Sequence, residues 1–267
     1  MIDMLNVEDI ICGDKFLELS LEHPNISYLK TDVFVRPSWW NDEWRNQPHT
    51  VKPNHIWISG HSDFAIDWTI YALYSSQCEV WYSTNVATNQ PNLVGIPLGI
   101  TNDCSDSHLH PILGNKEQMI DILRFPKRND HLLYMNINIA TYPQERNKVY
   151  TMFSSCPWIK VEPCEYSSDA RRKYLQTIRN STFVLCPRGN GVDTHRLWET
   201  LYMGSIPIVI RDTAFREFYD LPILFIDDWS EISEDFLRTE YERITNSKHW
   251  NMEKLKFGYW KRRILHL

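Results

Sequence analysis

The chain has 267 residues, of which 43% are hydrophobic, and chains longer than roughly 250 residues commonly divide into two domains. Its 28 Lys and Arg residues against 34 Asp and Glu residues give a net charge of −6, which argues against a nucleic-acid partner because such surfaces carry a basic excess. The first twenty residues contain acids and no apolar run, and no stretch approaches the roughly 18 apolar residues of a transmembrane segment. A soluble, cytoplasmic protein with two lobes is expected.

Short apolar runs alternate with longer amphipathic stretches along the chain, a pattern typical of βαβ units around parallel sheets. In the first half, this pattern predicts strands at residues 32–36, 55–59, 79–82 and 93–97. A helix is expected between the second and third of these strands, in "FAIDWTIYAL", with Ser62 or Asp63 as its N-cap. The polar segment 101–130, which contains one helix in "KEQMIDILR", is the predicted linker.

The alternation restarts after residue 130. Strands are predicted in "HLLYMNINIA", in "WIKVE", at 182–186, at 206–210 and in "ILFID". Helices are predicted in "YPQERNKVYTMF", at 168–179, at about 194–203, and in the closing stretches "SEDFLRTEYERI" and "NMEKLKFGYWKRRIL". Gly204 stands where the C-terminus of a helix favours a left-handed residue. Two open α/β lobes with a cleft between them follow from this order.

The stretch "FVLCPRGNGVDTHRLWETLYMGSIPIVI", residues 183–210, carries most of the chemical signal. Ligands of open parallel sheets bind beyond the carboxyl ends of strands, and the loop glycines Gly189 and Gly191 let backbone N–H groups approach a ligand there. Arg188 and Arg196 are placed to bind one anion, since a guanidinium pairs with two phosphate oxygens. Glu199 shares the helix face of Arg196, and its carboxylate suits a ribose diol.

A nucleoside diphosphate at the N-terminus of a helix fits this arrangement. The alternative is a surface ion pair between Arg196 and Glu199 beside glycines that only form a turn. Neither a G-x-G-x-x-G nor a G-x-x-x-x-G-K-[ST] pattern is present, which disfavours dinucleotide and P-loop sites.

This stretch resembles the C-terminal motif of exostosin-like glycosyltransferases of family 47, in which F-x-L-C-P-x-G-x-G precedes R-x-W-E-x-L-x-x-G-x-I-P-V. Weaker likeness extends to "LLYMNINIATYPQER" and "VGIPLGI". The resemblance implies the α/β fold called GT-B, with two Rossmann-like lobes, a central cleft and a C-terminal helix that returns to the N-terminal lobe. The implied boundaries are 1–125 for the acceptor-side lobe, 126–250 for the donor-binding lobe and 251–267 for the helix.

The resemblance also implies transfer with inversion and places Arg188, Arg196 and Glu199 in the donor site. His195 is expected to donate a hydrogen bond to the donor sugar or the diphosphate. Arg146, near the start of its helix, is a further candidate for the diphosphate, with a solvated surface arginine as the alternative. No D-x-D motif is present, and GT-B enzymes usually need no metal, so no metal or other cofactor is expected.

Inversion requires a base that takes the proton from the acceptor hydroxyl. Asp63 is the first candidate and His61 the second, because both follow the predicted strand at 55–59, although Asp63 also suits an N-cap. The remaining candidates are Asp42, Glu43, Asp103 and Asp193. The loop "PSWWNDEW" is a candidate acceptor platform, with ordinary packing as the alternative.

The predicted reaction is transfer of a sugar from a UDP-sugar, with UDP-xylose as the best guess, to an oligosaccharide or glycoprotein. The sequence is shorter than animal exostosins and no membrane anchor is expected in it, so it looks more like small viral or microbial members, which include xylosyltransferases. The alternatives are a GDP-sugar donor such as GDP-fucose, a sugar-binding protein without turnover, and a phosphorylase or hydrolase of nucleotide sugars.

Overall fold

A computed structural model describes residues 5–35, 54–103, 107–247 and 249–267. The first lobe holds a sheet of four parallel strands in the order β1-β2-β3-β4. These strands are β1 Ile26–Lys30, β2 His55–Gly60, β3 Cys78–Ser83 and β4 Leu93–Gly95. The helices of this part of the chain are α1 Gly13–Glu22, α2 Asp32–Val35, α3 Trp68–Tyr74, α4 His110–Leu113 and α5 Lys116–Leu123. The structure confirms the predicted strands at 55–59, 79–82 and 93–97 and the predicted helix at 116–124.

The strand predicted at 32–36 is wrong. The strand lies earlier, in β1, where the first four side chains are buried and pair in parallel with β2. After β1, the Thr31 amide donates to the Gly60 carbonyl and the Phe34 amide to the Thr31 carbonyl. The chain therefore turns into the helix α2 over Asp32–Val35, while residue 36 lies outside the described residues.

The N-cap predicted at Ser62 or Asp63 is also wrong. Ile66 pairs in parallel with Val86, and its amide donates to the Asn85 carbonyl, so the segment before α3 is extended. The helix begins only at Trp68, where the Asp67 side chain caps it by accepting from the Ile70 amide at 2.9 Å. Asp63 is thereby left without a capping role.

The second lobe holds five parallel strands in the order β6-β5-β7-β8-β9. They are β5 His131–Met135, β6 Ile159–Val161, β7 Ser181–Leu185, β8 Ile206–Ile210 and β9 Leu224–Ile226. All five were predicted from the sequence. The strand order reverses between β5 and β7, and such a switch point opens a crevice at the carboxyl ends of the two strands.

The helices of the second half are α6 Pro143–Phe153, α7 Ser168–Arg179, α8 His195–Tyr202, α9 Glu234–Asn246 and α10 Phe257–Ile264. Gly204 follows α8 with a φ of 76°, which confirms its predicted left-handed conformation. The single closing helix predicted at 251–265 is broken instead. A 3₁₀ turn at Met252–Leu255 precedes α10, because Lys256 between them is extended.

One apolar core joins the two lobes. It contains Phe16 and Ile58 of the first lobe together with Leu197 and Trp198 of the second, and Trp260 of α10. The helix α10 returns to the first lobe, as the GT-B architecture implies: the Phe257 ring meets the Phe16 ring edge-on at 5.4 Å between centroids. Within the described segments, no helix combines the length and apolar content needed to cross a bilayer.

Candidate active site

A cavity of about 510 Å³ opens between the two lobes at the carboxyl ends of β2, β5 and β7. The loops after β5 and β7, which flank the switch point, form its wall on the second lobe. The cavity lining brings together most residues selected from the sequence. These are His61 and Asp63 on one side, and Arg146, Gly189, Gly191, His195, Arg196 and Glu199 on the other.

Arg146 connects the two loops at the switch point. Its side chain is 6% exposed in the fold, and Nη1 donates to the Asn138 carbonyl at 2.9 Å while Nε donates to the Arg188 carbonyl at 2.8 Å. Burial, followed by the neighbouring charge of Arg196, lowers the pKa of Arg146 to about 10. A guanidinium that bonds backbone carbonyls in a buried place is not the solvated helix arginine considered above.

The glycines act differently from each other. A Cβ at Gly191 would lie 2.9 Å from Nδ2 of Asn85, so the missing side chain permits close approach of the first lobe. At Gly189, a Cβ would make ordinary contacts at 3.5 Å with Arg146 and Thr141. The Gly189 amide donates to the Gly191 carbonyl at 3.0 Å, which closes the loop on itself.

Arg188 is the one predicted donor residue outside the cavity lining. Its Nη2 donates to the Asn190 carbonyl at 2.8 Å, and its guanidinium lies 4.5 Å from the centroid of the Tyr142 ring. The side chain therefore supports the loop from the outside in this conformation, and a direct role with the donor stays a prediction.

Arg196 and Glu199 are both held by Tyr174. The Tyr174 hydroxyl donates to Glu199 Oε2 at 2.8 Å and accepts from Arg196 Nε at 3.3 Å. Glu199 forms its ion pair with Arg171 at 2.7 Å rather than with Arg196, so the surface pair considered above is absent. Burial alone would raise the pKa of Glu199, but Arg171 and Tyr174 outweigh it and hold the pKa below its usual value.

His195 contacts the first lobe. Its Nδ1 lies 2.8 Å from the Gly99 carbonyl, and because a carbonyl only accepts, Nδ1 carries the proton. Burial lowers the pKa of His195, which favours the neutral ring. The remaining nitrogen Nε2 is then a hydrogen-bond acceptor, in contrast to the donor role expected from the sequence.

Asp63 and His61 differ in their exposure and in their hydrogen bonds. Asp63 is exposed in the cleft, and its Oδ2 accepts from Nδ2 of Asn190 across the cleft at 3.2 Å. His61 has both ring nitrogens engaged, Nδ1 with the Tyr28 hydroxyl and Nε2 with Asp14 Oδ1 at 3.0 Å. Burial lowers the pKa of His61 despite the opposing charge of Asp14. Asp63 is the better placed of the two for proton transfer.

The other base candidates have different environments. Asp193 is 4% exposed and accepts from the Leu98 amide and Trp198 Nε1, both at 2.9 Å, and burial raises its pKa to about 7. It fastens the first lobe to α8. Asp103 pairs with Lys116 at 3.1 Å. Asp42, Glu43 and the loop "PSWWNDEW" lie outside the described residues.

Several residues of the cleft were not found from the sequence. On the first lobe they are Asp14, Tyr28 and Asn102 around His61, which no spacing connects. On the second lobe they are Arg171 and Tyr174, for which a signal existed. Arg171 occupies the same helix face as the buried Leu175 and Ile178, and a charge on a buried face is seldom without a partner.

Within the described part of the chain, no group of three or more His, Cys, Asp or Glu side chains is arranged around a common metal position. Whether the protein needs a metal stays a prediction. The guanidinium groups of Arg146 and Arg196 line the cavity beside the loop after β7, and their described partners are carbonyl, hydroxyl and amide oxygens.

Two lobes with parallel sheets that face a cleft, with arginines at the switch point of the second lobe, have the architecture called GT-B. A sequence profile of the exostosin GT47 domain matches residues 53–237, which is more than half of the chain. The chain belongs to the exostosin GT47 family, and the resemblance of its motif is confirmed.

The chain is also similar, at low sequence identity, to one curated protein and to two solved structures. An exostosin-1 homolog of Caenorhabditis elegans is 29% identical over 101 residues, which cover 32% of this chain and 25% of that protein; the chain thus spans about a quarter of that relative. Among solved structures, an α1,3-fucosyltransferase aligns at 10% identity over 91% of this chain and 90% of its own, with a TM-score of 0.44. The UDP-GlcNAc 2-epimerase of Methanocaldococcus jannaschii aligns at 10% identity over 98% and 84%, with a TM-score of 0.38.

Proposed function

We propose that this glycosyltransferase transfers a sugar from a UDP-sugar to a hydroxyl group of a glycan or glycoprotein, with inversion at the anomeric carbon. One observation carries the proposal: Arg146 and Arg196 stand at the switch point with neutral partners only among the described residues. Glu145 and Glu199 interact with these two guanidinium groups through their charge, but their described hydrogen bonds go to neutral oxygens, which leaves them able to pair with a ligand anion. The diphosphate of a sugar nucleotide is such an anion.

Asp63 is the proposed base. Inverting transfer needs a proton acceptor on the side of the anomeric carbon opposite the leaving group, and Asp63 extends from the first lobe toward the loop after β7. Its carboxylate takes the proton of the acceptor hydroxyl as the hydroxyl oxygen bonds to the anomeric carbon. The bond from that carbon to the diphosphate oxygen breaks, and Arg196 at the start of α8 stabilises the charge that forms on the diphosphate.

The identity of the donor rests on the resemblance to the family. UDP is common among the relatives, and UDP-xylose is our choice within it, while GDP-fucose is the competing donor. Metal independence belongs to the same proposal, because arginines and the N-terminus of α8 serve the leaving group in place of a cation. A cytoplasmic place of action likewise stays a prediction of the sequence.

Thermal unfolding of the purified protein with UDP, GDP and their sugar conjugates, each with and without EDTA, tests the proposal. A ligand that binds only the folded state raises the unfolding temperature by mass action. We expect a rise with UDP and UDP-xylose that EDTA leaves unchanged. A folded protein that responds to no nucleoside diphosphate would instead point to a sugar-binding protein without turnover.

A further inference from the structure

The hydrogen bond between Asn190 and Asp63 joins the two walls of the cleft. Nδ2 of Asn190, in the loop after β7, donates to Oδ2 of Asp63, in the turn after β2, at 3.2 Å, and both residues line the cavity. The family motif specifies no residue at the position of Asn190. The bond therefore connects the proposed base directly to the loop that flanks the proposed donor site.

Asn190 has a defined place because hydrogen bonds close the loop around it. The Gly189 amide donates to the Gly191 carbonyl at 3.0 Å. From outside the cavity lining, Arg188 Nη2 donates to the Asn190 carbonyl at 2.8 Å, and its Nε donates to the Gly189 carbonyl at 3.3 Å. The backbone at the tip of the loop is thus held while the Asn190 side chain points across the cleft.

The same loop is fastened to the first lobe immediately beyond Gly191. The Asp193 amide donates to Asn85 Oδ1 at 2.8 Å, and the Asp193 carboxylate accepts from the Leu98 amide at 2.9 Å. These bonds fix the position of the loop relative to the sheet that carries the base. The contact between Asn190 and Asp63 is consequently one of several between these segments, and the others hold it in register.

The turn that carries Asp63 is held as well. His61 has a φ of 50°, a left-handed conformation that is uncommon outside glycine, and Ser62 Oγ donates to Asp32 Oδ1. Asp63 itself is exposed, and among the described residues its Oδ1 has no hydrogen-bond partner. One carboxylate oxygen is therefore anchored by Asn190 while the other remains open to a substrate.

We propose that Asn190 is a positioning residue for the base: its amide holds Oδ2 of Asp63 and thereby directs Oδ1 to the acceptor hydroxyl. Oδ1 takes the hydroxyl proton as the hydroxyl oxygen bonds to the anomeric carbon and the bond from that carbon to the diphosphate oxygen breaks. Orientation matters because small displacements of a reacting group cost large factors in rate. This inference rests on the proposed role of Asp63 and specifies what orients its carboxylate.

The test measures the release of UDP from UDP-xylose and of GDP from GDP-fucose, with water in place of the acceptor hydroxyl. The variants Asn190→Ala and Asn190→Gln are made in the unmodified protein and again in Asp63→Asn. Glutamine keeps the amide donor on a longer side chain. Asn129→Ala is the matched control, because the exposed Asn129 amide also donates one bond, to the Tyr241 hydroxyl at 3.3 Å, but lies outside the cavity lining.

We expect Asn190→Ala to lower kcat about tenfold, the equivalent of one hydrogen bond, with little change in KM or in the dissociation constants of UDP and GDP measured by calorimetry. Asn190→Gln should recover most of the rate, and Asn129→Ala should match the unmodified protein. In Asp63→Asn, the further change Asn190→Ala should leave the rate almost unaltered, because the carboxylate through which Asn190 acts has gone.

Different failures have different meanings. An Asn190→Ala loss of equal size with and without the Asp63 carboxylate, or nucleotide binding that weakens as much as kcat falls, overturns the inference and leaves the proposed function standing. A faster Asn190→Ala protein overturns it too, because the bond would then restrain the base. Full activity of Asp63→Asn removes the proposed base, and an unmodified protein that releases neither nucleotide overturns the proposed turnover; the inference fails with either.

The unfolding temperature of each variant, measured without ligand, separates a loss of position from a loss of fold. Asn190 is exposed at the tip of its loop, so Asn190→Ala and Asn190→Gln should unfold at nearly the same temperature as the unmodified protein. A rate restored by Asn190→Gln at an unchanged unfolding temperature identifies the amide donor as the group that matters. Equal rates in the two variants contradict the positioning role.

Discussion

The two walls of the cleft are built from different chemistry. The second-lobe wall has the guanidinium groups of Arg146, Arg171 and Arg196 beside four carboxylates, which are Glu162, Glu165, Asp193 and Glu199. The first-lobe wall has hydroxyl, amide and imidazole groups around the exposed Asp63. The difference matches the proposed substrates: a diphosphate is an anion and requires fixed positive charge, whereas an acceptor hydroxyl is neutral and requires only a proton acceptor.

The walls also differ in how far apart their residues lie in the chain. Arg196 and Glu199 of the second-lobe wall fall in one motif, because they lie in the helix that directly follows the loop after β7, whereas Arg146, Arg171 and Tyr174 come from α6 and α7. The first-lobe wall combines the ends of several elements, and Asp14, Tyr28 and His61 meet there from α1, β1 and the turn after β2. Site residues that share one loop and helix can be recognised in a sequence as a motif, and site residues that meet from several separate elements cannot.

The largest effect is expected from Asp63→Asn on the first-lobe wall, which should change the rate of transfer and not the binding of UDP. We expect the rate of transfer to fall about 10³-fold, within the range for loss of a general base, while the dissociation constant of UDP changes less than twofold. Asp67→Asn is the matched control, because Asp67 caps α3 outside the cavity lining. Equal loss in the two variants would remove Asp63 from its role.

A change on the second-lobe wall should instead weaken the binding of UDP. Arg196→Ala removes a charge next to the proposed diphosphate and should weaken UDP binding about 100-fold, as expected for a charge-assisted pair. Arg188→Ala, whose guanidinium is held by Asn190 and Tyr142, should weaken it severalfold at most. Calorimetry on both variants decides between these residues, and a larger effect at Arg188 would mean that its side chain turns inward when the donor binds.

The stability of the fold should depend on pH through Asp193, which accepts hydrogen bonds from Leu98 of the first lobe and Trp198 of α8. Its folded pKa, raised by burial to about 7, exceeds the usual value of about 3.9, so the folded state binds the extra proton. The contribution to stability is complete below pH 4 and is lost as pH rises through 7, by about 2 kcal/mol between pH 5 and pH 8. Asp193→Asn should lack this component. Urea unfolding of both proteins across that range measures it, and parallel pH curves would contradict the prediction.

The smallest effect is expected from a change at Gly13, whose backbone lies close to the His61 ring. A Cβ there would lie 2.8 Å from Nε2 of His61, and displacing a ring held on both sides should cost about 1 kcal/mol of stability. In Gly258→Ala, the new Cβ would meet only Arg262 at 3.5 Å, so helix propensity should raise stability by a similar amount. Opposite shifts in unfolding temperature are expected, and two equal shifts would show that His61 moves freely.

Much of the second lobe could be predicted because its strands are continuous apolar runs bounded by turn residues. β8 Ile206–Ile210 and α7 Ser168–Arg179 match the predicted limits, and Gly204 fixed the end of α8. In the first lobe, "ISYLK" was missed, because its serine and lysine interrupt the apolar pattern although the strand is buried by its neighbours. Tertiary pairing at Ile66 likewise overrode the local signal for a helix start at Asp63.

Residue roles were less predictable than residue positions. Glu199 was placed on the helix face of Arg196, with an ion pair between the two as the alternative to ligand binding, yet Arg171 of the neighbouring helix pairs with Glu199. His195 was expected to donate a hydrogen bond to the donor sugar or the diphosphate, but its Nδ1–H donates to the Gly99 carbonyl. In both cases the partner comes from a segment distant in sequence, and helix spacing gives no information about which distant group arrives.

The apolar core that runs from Phe16 through Trp198 to Trp260 has an evolutionary consequence. A chain whose lobes share side-chain packing cannot exchange one lobe with a relative by recombination at the linker without mismatching the facing surfaces. Donor preference and acceptor preference are then inherited together. New combinations of the two should arise by substitutions in the cleft loops, where side chains change without disturbing the shared interior.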